Sequence, residues 1–262
     1  MAKPLREGLS LPIESRSREG EQDCERLEGA FSVAHRPEME EAAVRLRRLL
    51  KRGATALSEM LDVETPELQA LLVADEDWNE APREDAHAYP LGLPYFTRSV
   101  RPPALVLPIV LSPVFRPHTE STYPLAVWHE LAHAFLLQRD VVRTPAWLRE
   151  FVPQAASAAV TLRVELPLHE HLSKIERKPG FTIRSLKGHA DAEQQMAFQN
   201  LLLLLGVAVL EEFGERILKR LAHALWEERD VVNEERAEEL LAAALGPGGR
   251  AWLRSRPEFQ EG

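Results

Sequence analysis

Tyr123-Pro-Leu-Ala-Val-Trp-His-Glu-Leu-Ala-His-Ala-Phe-Leu-Leu-Gln138 is an apolar run that carries the pattern H-E-x-x-H at His129, Glu130 and His133. Between Leu125 and Leu137 the only charged or strongly polar side chains are those three. The run predicts a helix from about Thr122 to Gln138. Residues four apart on such a helix lie about 40° apart around its axis, so both imidazoles point the same way. Two histidine nitrogens on one face can hold a metal ion, with Glu130 beside them as a base toward a water on that ion. A buried helix cannot carry two unpartnered imidazoles and a carboxylate cheaply. An ion supplies the missing partner.

A catalytic zinc site needs a third protein ligand and an open position. The segment Thr144-Pro-Ala-Trp-Leu-Arg-Glu150 offers one in Glu150, separated from His133 by sixteen residues. Thr144 followed by Pro145 reads as a helix start, with a capping oxygen and a proline in the first turn. That interval lets the first helix end, turn near Arg139 and Asp140, and return a carboxylate toward the two histidines.

H-E-x-x-H followed by Pro-x-Trp-Leu-x-Glu resembles the gluzincin metallopeptidases, in the aminopeptidase-like branch. The resemblance implies His129, His133 and Glu150 as ligands of Zn²⁺ and Glu130 as the general base. It also implies an α+β fold: a small mixed sheet lobe, then a mainly helical lobe, with the zinc site in the cleft between them. Leu68–Asp75 and Ala104–Leu111 are similar to strands of that sheet, and Gly92–Arg98 to the edge along which gluzincins hold an extended substrate. Phe198–Leu218 is similar to the helix pair that follows the zinc site, with a small residue for close packing and an aromatic-Gly corner. The chain departs from the family in reading Glu150-Phe-Val-Pro153 where a small residue usually follows the glutamate. Pro153 removes a helical hydrogen bond, which predicts a kink or an early break.

Around this centre the chain divides into four stretches. Residues 1–37 are polar and weakly patterned, and read as a mobile tail. Residues 38–120 form a helix, from Pro37 to about Leu61, and the sheet lobe. Pro90, Pro94, Pro102, Pro103 and Pro108 favour edge or bulged strands over central ones, and the acidic stretch Asp75–Asp85 reads as a loop. Residues 121–245 are the zinc-binding helical lobe, with further helices at about 190–212, 215–229 and 233–245. The glycines of Gly246-Pro-Gly-Gly249 end the last helix, and residues 246–262 read as a loose tail.

The composition narrows the class. Hydrophobic residues make up 45% and charged residues 28%, the balance of a soluble globular protein. A formal net charge of −9 argues against a nucleic-acid partner, and the basic cluster Arg45–Arg52 reads as a solvated helix face. The single cysteine, Cys24, excludes an intramolecular disulfide framework. Without an apolar leader or an apolar run of about 20 residues, neither a secretion signal nor a membrane partner is expected, and the setting reads as cytoplasmic.

The expected function is zinc-dependent hydrolysis of a peptide or protein substrate. A non-catalytic metal-binding or regulatory domain of the same fold is the alternative. The Gly-x-Met-Glu-Asn signature by which the aminopeptidase branch reads a substrate's free amine does not occur here, so the resemblance implies an endopeptidase or specialised processing protease more than an aminopeptidase. The residue that would stabilise an oxyanion is not assigned. Tyr89, Tyr95, Tyr123, His171 and His189 are the candidates, and His169 with His171 reads as a pair of surface histidines.

Overall fold

Two short, continuously apolar segments form the middle of a sheet that is covered on both faces. In the computed structural model, which describes residues 32–84, 90–115, 117–139, 141–185 and 192–260, four strands form one mixed sheet: β1 (Ser32–Ala34), β2 (Gln69–Val73), β3 (Tyr95–Thr97) and β4 (Ala104–Pro108). Their order is β1-β2-β4-β3, with β3 antiparallel to β4 and the other pairings parallel. Leu72, Leu105 and Leu107 face the helices, whereas Leu71, Val73 and Val106 face a smaller cluster around Trp78 and Tyr95. A sheet buried on both faces needs strands that are apolar throughout, as β4 is. The cover on the second face is the acidic stretch read as a loop: Asp75–Glu80 is a 3-10 helix that turns Trp78 inward.

The prolines bracket β4 instead of breaking it. Pro102 and Pro103 precede it and Pro108 is its last residue, so β4 pairs with β2 and β3 as a regular central strand. The expectation of edge or bulged strands there is corrected.

Helix α1 (Glu40–Leu61) follows β1, and α2 (Thr122–Leu137), α3 (Ala146–Arg163), α4 (Leu168–Ser173), α5 (Ala192–Phe213), α6 (Arg216–Glu227), α7 (Glu234–Leu245) and α8 (Gly249–Ser255) follow the sheet. One hydrophobic core joins α1, the inner sheet face and these helices, so the stretches read as two lobes share a single interior. Helix α3 runs unbroken through Pro153. Its packing between α2 and α5 overrides the lost hydrogen bond, and the helix ends only at Arg163, ahead of Pro167 and α4.

Helix α5 is, by length and composition alone, apolar enough to cross a bilayer. Here Phe198, Leu202, Leu205 and Val209 are buried in the core. Its Gly206 lies so close to α3 that an added Cβ would stand 2.9 Å from the Ala155 Cα and 3.0 Å from its Cβ. Alanine is the better helix former by about 1 kcal/mol, but the clash is with backbone and cannot be relieved by a rotamer. Gly206→Ala should therefore lose about 1–2 kcal/mol of stability in denaturant titration; an unchanged midpoint would mean that the helices separate without cost. At the end of α5, Phe213-Gly214 makes the expected corner, with Gly214 at φ 76°.

Part of each stretch read as a tail is ordered structure. Residues 1–31 lie outside the described residues, but Ser32–Ala34 is an edge strand and not tail. The glycine run at 246–249 is a tight turn, with Gly246 and Gly248 both at φ 87°, and the chain continues into α8. Leu253 is buried, Phe259 packs edge-on against Trp147 at 5.5 Å, and the Glu258 carbonyl accepts from the Ile183 N–H. Glycines that stop one helix here reverse the chain into the next.

Candidate metal centre

Helix α2 is held at its middle and at its N-terminus, and its orientation follows. Trp128 is fully buried against α1, its indole N–H donating to the Leu49 carbonyl, 2.9 Å away, beside Gly53. At the N-terminus the Thr122 hydroxyl donates to the Pro117 carbonyl and accepts from the Thr119 N–H. With those faces fixed, His129, Glu130 and His133 turn toward a cavity of about 670 Å³.

Helix α3 brings the third side chain. Trp147 is buried and its indole donates to Glu234 Oε2 at 2.7 Å, tying the start of α3 to α7. Glu150 follows three residues later, one turn along. Pro145 stands at the cap position, not Thr144, and no side chain caps the helix. The Pro145 carbonyl instead accepts from the N–H groups of Leu148 and Arg149.

The three side chains converge. His129 Nε2 and His133 Nε2 are 3.1 Å apart, and Glu150 Oε2 lies 3.3 Å from the first and 3.4 Å from the second. A tetrahedral ion bound at about 2.0–2.1 Å separates its ligand atoms by about 3.3 Å. The cluster His129–His133–Glu150 thus matches, in donor type and spacing, what a metal ion requires. Among the described residues His129 Nδ1 is buried without a hydrogen-bond partner, so none of them supplies the carboxylate or carbonyl that usually stands behind a metal-binding histidine.

The two carboxylates sit in different electrostatic states. Burial pushes the Glu130 carboxyl up to about 7; His129 opposes the shift, Glu150 adds to it, and the Phe96 backbone N–H, which donates to the carboxylate, opposes it again. Burial would raise Glu150 as well, but the imidazoles of His133 and His129 hold it well below the usual carboxylate range. The two carboxylates therefore differ in what governs them: burial prevails at Glu130, and the neighbouring imidazoles prevail at Glu150.

Of the five oxyanion candidates, Tyr89 and His189 lie outside the described residues. The Tyr123 hydroxyl donates to the Pro108 carbonyl, and the Tyr95 hydroxyl to the Pro82 carbonyl. His171 is not a surface histidine: it is buried and lines the cavity, with Nδ1 2.9 Å from Thr119 Oγ1, while His169 is exposed. Three contributors escaped the sequence. They are the Phe96 N–H and the side chains of Gln154 and Gln199, the last within 3.0 Å of Glu150 Oε2. Gln154 stands one helical turn beyond Glu150, which could have drawn attention to it; nothing singled out Gln199.

Burial depresses His171 to about 4, with Lys174 adding to the effect. Its unfolded pKa is about 6.5, so between those values the unfolded chain binds the extra proton. The contribution is complete above pH of about 6.5 and is lost as pH falls toward 4. After discounting for solvent screening it amounts to about 2 kcal/mol. His171→Gln should flatten the fall of melting temperature between those pH values relative to the wild type; parallel pH profiles would contradict it.

No family model, curated protein or solved structure matches the chain.

Proposed function

We propose that this chain is a zinc-dependent peptidase of the gluzincin type, an endopeptidase or specialised processing protease acting on a peptide or protein substrate. The observation that carries the reading is the meeting of His129 Nε2, His133 Nε2 and Glu150 Oε2 within 3.4 Å, beside a base. Imidazole and carboxylate together suit zinc. Bound there, zinc would polarise a scissile carbonyl and bring the pKa of a water toward ~7.

The protein's own part begins with Glu130. Its carboxylate accepts the proton of the attacking water and delivers it to the leaving amine. The Phe96 N–H fixes that carboxylate and ties it to β3, an edge strand of the sheet. A peptide lying along β3 would place its main chain beside Glu130, pairing as a further strand. The Gly-x-Met-Glu-Asn signature for a free amine is missing from the chain, which favours cleavage at internal bonds. The test is hydrolysis of a peptide library by the zinc-loaded wild type beside Glu130→Gln. Cleavage by the wild type alone supports the reading, and no cleavage by either overturns it in favour of a binding role.

A further inference from the structure

Glu150 is held by more than the histidines. Its Oε2, the oxygen that faces both imidazoles, accepts from Gln199 Nε2 at 3.0 Å. Gln199 is oriented in turn: its Oε1 accepts from Gln154 Nε2 at 2.6 Å. With the carbonyl end of Gln199 engaged by a donor, its amino end must be the one turned to the carboxylate; the flipped amide would set two acceptors against each other. The other carboxylate oxygen, Oε1, has Arg149 Nε at 3.3 Å. Gln154 and Glu150 lie one turn apart on α3, while Gln199 comes from α5, so the relay crosses between helices.

We propose that Gln199, oriented by Gln154, is the positioning residue that presents a single oxygen of Glu150 to the metal. The inference rests on the metal-centre reading above. A glutamate has three side-chain torsions to fix before it can act as a ligand, and a carboxylate free to rotate can also offer both oxygens. The Gln199 donor on Oε2 and the Arg149 donor on Oε1 hold the carboxylate in one orientation. One-oxygen ligation keeps a position open on the ion, which distinguishes a catalytic from a closed structural site. Partners of this kind typically account for 10–100-fold in metal affinity. Arg149 is 59% exposed at its side chain, so its share is the smaller one.

The experiment measures zinc affinity by competition with a chromophoric chelator, together with the visible absorption spectrum of the cobalt-substituted protein. Gln199→Met keeps length and bulk but loses the donor. It is expected to bind zinc about 10–100-fold more weakly, to shift the cobalt spectrum, and to lower the melting temperature of the metal-free protein by no more than about 2–4 °C, the cost of one lost hydrogen bond. Gln154→Met should show a smaller loss, and the double variant should be no worse than Gln199→Met, because the two amides act in series. Wild type and Gln199→Met binding zinc within twofold of each other, with one cobalt spectrum, overturns this inference alone. A wild type that binds no zinc overturns it together with the metal centre. A variant that melts lower while binding zinc as tightly assigns Gln199 to packing and likewise overturns it.

Discussion

Glu130→Gln is expected to lower peptide hydrolysis by about 10²–10⁴-fold while leaving zinc content unchanged. The substitution is isosteric, and its amide carbonyl can still accept from the Phe96 N–H that holds the carboxylate now. What it cannot do is take a proton. Glu130 is also no ligand in the cluster, whose converging atoms belong to His129, His133 and Glu150. Loss of rate without loss of metal is therefore the signature of a base, and loss of both would move Glu130 into the metal-holding set. Stability supplies a second readout. Burial has pushed this carboxyl up to about 7, so in the metal-free protein its ionised form is disfavoured and the folded state loses stability as pH rises from the ordinary carboxylate range through 7. The glutamine variant carries no such cost. Metal-free Glu130→Gln should melt no lower than the wild type at pH 8; a clear drop would show that the carboxylate is needed for the fold.

The elements around this centre differ in how much the sequence discloses, and the differences have physical causes. The α2 motif is local: a helical period and five consecutive residues contain it. The partnership with Glu150 is half local, because Pro145, Trp147 and Glu150 mark a helix start, but what aims that helix is Trp147 bonding to Glu234, 87 residues away. Strand positions in β2 and β4 were readable as apolar runs, whereas the centrality of β4 was hidden because prolines at its borders look like prolines within it. Trp78 was hidden for another reason. It sits in an acidic stretch that reads as solvent-facing, and only the pairing of the strands creates the bare sheet face it covers. The contribution of Gln199 is wholly tertiary: a polar residue near the start of an apolar helix acquires meaning only when α5 packs beside α3. The stretch after Gly246 was read as a tail because glycine marks a helix end without saying whether the chain stops or turns.

Zinc added to the metal-free protein should raise its melting temperature, and His133→Ala should abolish the response. The argument starts from the cluster itself. Three acceptor atoms lie 3.1–3.4 Å apart in a largely buried site. Glu150 lies between the two imidazoles, which hold its carboxyl well below the usual carboxylate range against the effect of burial. An ion that binds the folded chain alone stabilises it by mass action, about 2.7 kcal/mol at a hundredfold excess over the dissociation constant. For a chain of this size that corresponds to a rise of about 5–10 °C. His133→Ala removes one of the three side chains that could hold the ion, so the affinity should fall by more than the 10–100-fold that loss of an orienting partner costs, and the zinc-dependent rise should vanish at the same concentration. The competing account is a plain ion pair between Glu150 and protonated histidine. It predicts that zinc leaves the wild-type melting temperature where it was, and that His133→Ala is less stable than the wild type with or without zinc. The two accounts diverge in a single pair of melting curves, and a wild type that ignores zinc decides against the metal centre.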